Sequence, residues 1–143
     1  MTTEWFDKDT TTHQDHVIAH VLGATVLGYF IHDEALYVLL NIGFIWTIYV
    51  EGQMGLLPHP VAVGELDTEK RRTEINADIE LLLSEGLRVE GLRQLTHAPV
   101  NCLIEKVTFH TRGDERRLLI AGEGDSLTID MSLSSGEIKV SGV

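Results

Sequence analysis

A second cysteine is missing. Cys102 stands alone in a chain of 143 residues, which rules out an intrachain disulfide. The opening segment, MTTEWFDKD, has no basic stretch followed by an apolar run, the mark of a secretory signal. Both absences lead to the expectation of a reducing, cytoplasmic setting. Beside Leu103 and Ile104, Cys102 reads as a small core residue on a strand rather than a nucleophile.

Positive charge is scarce as well. There are 11 bases against 22 acids, a formal net charge of −11. Lys8 is the only Lys or Arg in the first 69 residues, and the short run KRR (70–72) is flanked by Glu69 and Glu74. Nucleic-acid binding draws its affinity from Lys and Arg displacing counterions, so neither DNA nor RNA is expected as a partner. Anionic membrane surfaces are disfavoured for the same reason.

Hydrophobic runs of membrane-spanning length are missing too. VLGATVLGYFI (21–31) and ALYVLLNIGFIWTIYV (35–50) are 11 and 16 residues long, short of the ~20 that a spanning helix needs. Their Val, Ile, Tyr, Phe and Trp suit buried strands. Catalytic signatures are absent as well. There is no Ser-x-x-Lys or Gly-x-Ser-x-Gly motif, and no carboxylate pair can be placed in space from sequence, so the chain leans away from an enzyme. GEGDS (122–126) lacks the lysine and the strand-to-helix context of a phosphate loop, and RGD (112–114) reads as a hairpin turn. Internal repeats and low-complexity segments are not seen.

What is present is a core. Apolar residues make up 43% of the chain, and a single domain of this length buries roughly 68% of its unfolded surface. Thr11, Thr12 and Asp15 are candidate caps for a helix ending at Gly23. Strands follow at 24–31, 35–41 and 44–51. The stretch 51–64 reads as a connection broken by glycines and prolines. A second helix is predicted over 68–85, with Gly86 as its C′ residue and Ile75, Ile79, Leu82 and Leu83 as its apolar stripe. The last third reads as a meander, with CLIEKVTF and RRLLIAG joined by a turn, then the strictly alternating SLTIDMSL and a strand carrying Ile138 and Val140. One α+β domain over 1–143 is expected, with about seven antiparallel strands and two helices in the order helix, three strands, helix, about four strands.

The first helix carries the densest chemistry. Val17, Ile18, Val21 and Leu22 form its apolar arc, while His13, His16 and His20 share a face well away from the middle of that arc. The ordinary interpretation is a solvated polar face. The sharper one is a metal site for Zn²⁺ or Ni²⁺, with His16 and His20 on consecutive turns as core ligands and His13 beside them. His13 and His20 are two turns apart, about 10.5 Å along the axis, so further donors would be needed from His32, Glu34, His59 or Asp15. The metalloprotease helix motif fails, because Val17 stands where Glu should follow His16.

Six of the nine aromatics lie between residues 29 and 49. Strands apolar on both faces need cover on both sides, and two helices offer little of it. A homodimer closed through strands 24–51 is therefore expected. Lys106, Thr108 and His110 share one face of a later strand, an exposed sheet face by default. Three functions follow: an acidic, non-catalytic protein-interaction module acting as a homodimer; a metal-binding protein or metal-dependent hydrolase centred on the histidine face; or a carrier of a small apolar ligand held between the aromatic strands and a helix, in a pocket lined by Tyr37 and Trp46.

Overall fold

The computed structural model describes residues 4–85, 89–98, 102–122 and 125–142. They form an α+β fold of two antiparallel five-stranded sheets and three helices. After a two-residue strand β1 (Phe6–Asp7) come α1 (Thr12–Val21), β2 (Val26–His32), β3 (Ala35–Leu40), β4 (Phe44–Tyr49) and β5 (Met54–Pro58). Then follow α2 (His59–Gly64), α3 (Glu69–Glu85), β6 (Thr96–His97), β7 (Ile104–Arg112), β8 (Glu115–Gly122), β9 (Ser126–Ser132) and β10 (Ile138–Gly142). One sheet runs β5-β4-β3-β2-β6, and the other β1-β7-β8-β9-β10.

The expected count of about seven strands and two helices needs correcting. Residues 51–64 are not a bare connection, since they hold β5 and α2. Their prolines sit where proline does least harm. Pro58 closes β5, an edge strand, and Pro60 occupies the first turn of α2, where no intrahelical N–H partner is lost. The meander of the last third has the four strands expected, and RGD (112–114) spans the β7–β8 turn with Gly113 at φ +60. Gly86, the expected C′ residue, lies outside the described residues.

The two sheets pack face to face. Val26, Leu36, Val38, Leu40, Trp46 and Ile48 of the first sheet share one core with Phe109, Leu118, Ile120, Leu127, Ile129 and Met131 of the second. The opposite face of the first sheet, with Phe30, Leu39 and Ile45, lies under Ala62 and Val63 of α2 and Ile75, Ile79 and Leu82 of α3. Leu83, expected in that stripe, is exposed, and Asp78 is buried in its place. At the corner where the sheets meet, residues 24–26 exchange backbone hydrogen bonds with 102–104: Ile104 N donates to Ala24 O at 2.8 Å and Val26 N to Cys102 O at 3.0 Å.

This layering overturns the premise of the expected dimer. Strands 24–51 are covered on most of both faces by the chain's own C-terminal sheet and its own helices, with Ile31, Ile42 and Tyr49 left exposed. Partner cover is not required there, because an apolar face needs burial rather than burial by another subunit. Among the described residues no helix is long and apolar enough to cross a membrane.

Candidate functional site on the histidine face of the first helix

Helix α1 closes one side of the sandwich. Thr11 caps it, and Gln14 completes a capping box: Gln14 N donates to Thr11 Oγ1 at 3.1 Å and Thr11 N to Gln14 Oε1 at 2.8 Å. The same Gln14 side chain is buried and donates through Nε2 to Gly52 O at 2.7 Å. Gly52, at φ +99, has no room for a Cβ, which would stand 2.7 Å from the ring of Phe109. His13 Nε2 lies 2.9 Å from Met54 O at the start of β5. A carbonyl only accepts, so this nitrogen carries the proton. Two side chains of the first turn thus fix α1 to the β4–β5 hairpin.

Between α1 and that hairpin lies a groove of about 410 Å³. His13, His16 and His20 stand along its helical wall with Val17, and Ile42, Phe44 and Leu56 make the facing surface. Ile42 is 45% exposed, carried outward by the turn at 41–43, where Gly43 takes φ +84. Phe44 and Leu56 belong to the sheet face that carries Trp46, because Trp46 pairs with Leu56 across the strands and Phe44 precedes it by one pleat. Trp46 is wholly buried beside this surface, and its Nε1 has no hydrogen-bond partner among the described residues. Such a donor ordinarily costs about 1–3 kcal/mol.

The expected residues are therefore only partly brought together. His13, His16 and His20 share the groove, yet among the described residues no three His, Cys, Asp or Glu side chains stand close enough to hold an ion. The further donors considered from sequence do not line the groove. Asp15 accepts from Thr10 Oγ1, His32 faces Asp67 at 3.9 Å, and Glu34 lies against Gly136. His59 begins α2.

A pocket lined by both Tyr37 and Trp46 is also ruled out by register. Val38 pairs with Trp46, so Tyr37 projects from the opposite face of the sheet, stacked on Phe30 with ring centroids 4.6 Å apart. The histidine face was legible in the sequence, whereas its apolar partners were not. Leu56 fell in the presumed connection, and Ile42 sits in a turn between Asn41 and Gly43. A large aliphatic residue in such a turn is the one local signal for this surface, and no expectation from sequence rested on it.

Other titratable groups offer less. Burial, with a smaller contribution from Asp125, pushes the Cys102 thiol above its ordinary pKa, which makes it a poor nucleophile. One chain of hydroxyl, imidazole and carboxylate does occur: His110 Nε2 lies 3.1 Å from Thr108 Oγ1, and His110 Nδ1 lies 3.2 Å from Asp7 Oδ1. Asp7 is 97% exposed there, so water screens the charge that would have to be preorganised for catalysis. On the same outer sheet face, Arg117 makes a bidentate pair with Asp130 at 2.6 and 3.0 Å, and Trp5 lies 4.3 Å from the guanidinium carbons of Arg112 and Arg117. These cations are occupied within the chain.

Fold and groove together define a two-sheet α+β protein with an apolar recess walled by imidazoles. No protein-family model, no curated protein and no solved structure matches the chain.

Proposed function

We propose that this chain is a non-catalytic binding protein that holds a small, largely apolar ligand in the groove between α1 and the β4–β5 hairpin. The observation that carries this reading is the groove's composition. A recess of about 410 Å³ brings three aliphatic or aromatic side chains of the sheet side against three imidazoles of the helix. Ligand sites commonly run from ~300 to 1,000 Å³, mostly apolar with a few polar groups that orient the ligand. The metal reading of the same residues lacks a third donor among the described residues, and the apolar faces of strands 24–51 are mostly covered within the chain. Carriage of a small apolar ligand is the function class that retains a site.

The test is titration of the full chain with N-phenyl-1-naphthylamine, an uncharged apolar dye that fluoresces on leaving water. Saturable binding at one dye per chain is expected. It should be lost in Ile42→Glu, an exposed position where the charge does not disturb the core, with the unfolding midpoint unchanged. No saturable binding, or equal binding by Ile42→Glu, would overturn the proposal.

A further inference from the structure

We infer that the ligand of this groove is an amphiphile with a carboxylate head, a medium-chain monocarboxylic acid, whose head is received by His16 and His20. The inference rests on the binding reading above and adds the identity of the polar end. Its first support is what the groove omits. The chain has 22 acids among 143 residues, and among the described residues none of them lines this recess. Four other recesses of the described residues carry Asp or Glu side chains, whereas this one presents imidazoles and hydrocarbon.

The second support is the allocation of the three histidines. His13 is committed to the Met54 carbonyl and so holds the helix rather than a ligand. His16 and His20 are exposed and lie one turn apart on the same wall. In either protonation state an imidazole offers at least one N–H. Two such donors on consecutive turns, about 6 Å apart along the axis, can each reach one oxygen of a carboxylate lying between them. An alcohol or an ester would offer neither donor a charged acceptor, and hydrogen bonds to charged groups are roughly twice as strong as neutral ones.

The third support is dimension. At ~30 Å³ for each methylene-sized unit, the share of one water in the liquid, a recess of about 410 Å³ takes roughly a dozen such units. That is a medium-chain tail against Ile42, Phe44 and Leu56.

The experiment compares decanoate with decanol by calorimetry on the full-length chain. Side by side run the double variant His16→Leu, His20→Leu and the groove variant Ile42→Glu. Decanoate should bind at one per chain, about tenfold or more tighter than decanol. The double leucine variant should bind the two about equally, while Ile42→Glu binds neither. Equal affinity of the unaltered chain for acid and alcohol, or an acid preference that survives the double leucine variant, would overturn the head-group inference and leave the groove standing. Dye binding without decanoate binding would do the same. Binding of neither compound, together with failure of the apolar dye, would overturn the groove itself. The leucine variants add apolar surface, so a loss of folding would show in far-ultraviolet dichroism. In that event His16→Ala, His20→Ala, which also removes both donors, gives the same comparison.

Discussion

The carboxylate of Asp78, midway along α3, accepts the backbone N–H of Leu95 through Oδ2 at 2.9 Å. The same group takes the N–H groups of Arg93 and Gln94 at 3.0 and 2.7 Å. With Asp78 only 1% exposed, one buried charge satisfies three successive amides and sets the chain for β6. Asp78→Ala leaves those amides without an acceptor. It should lower stability by about 3 kcal/mol or more, given about 1–3 kcal/mol for each buried group left unpaired. Asp78→Asn keeps one acceptor oxygen and should lose less. Urea unfolding of the two variants, compared at equal slope, reads the difference directly.

Gln14 links the cap of α1 to the β4–β5 turn through Gly52 O. Gln14→Ala removes both contacts and should cost about 1–2 kcal/mol. Because α1 forms one wall of the groove, dye affinity should fall in the same variant. A variant as stable as the parent, with unchanged dye affinity, would mean that α1 is positioned by its apolar side alone.

Trp46→Asp distinguishes a core from an interface. At a subunit contact that substitution gives a folded, dissociated chain. Here the indole is wholly buried between the sheets, and an unpaired carboxylate in that place should cost more than ~4 kcal/mol. Loss of native dichroism is expected, rather than a folded species of lower mass in light scattering.

Cys102 gives a signed pH dependence. Its folded-state pKa is raised from the ordinary 9.0 by burial. The thiol's contribution to stability is therefore fully present below the unfolded pKa and lost as pH rises through the folded one. The stability gap between the parent chain and Cys102→Ala should narrow from pH 8 toward pH 11. A gap that widens over that range would reverse the sign.

The β2–β3 turn is strained by its own residues. Asp33 and Glu34 take φ +50 and +59, the left-handed pair that a type I′ hairpin requires and that Asn-Gly fills best. Asp33→Asn with Glu34→Gly should raise stability by about 0.5–1 kcal/mol, read as a higher thermal midpoint.

Elements set by local periodicity are legible in the sequence itself. The alternation of SLTIDMSL specifies a strand with Leu127, Ile129 and Met131 inward, because a pleat repeats every two residues. Thr11 and Gln14 mark the start of α1 by hydrogen-bonding chemistry available within four residues. That His13, His16 and His20 share a helix face follows from 100° per residue alone. What lies opposite that face does not follow from it. Ile42 and Leu56 reach the histidines only because β3, β4 and β5 form a meander whose edge lies beside α1. The cover over strands 24–51 likewise comes from residues far along the chain, Phe109 to Met131. Periodicity shows that a face is apolar and must be buried, but the burial free energy is non-directional. Which surface covers it, a second copy or the chain's own later sheet, was decided only by the tertiary arrangement.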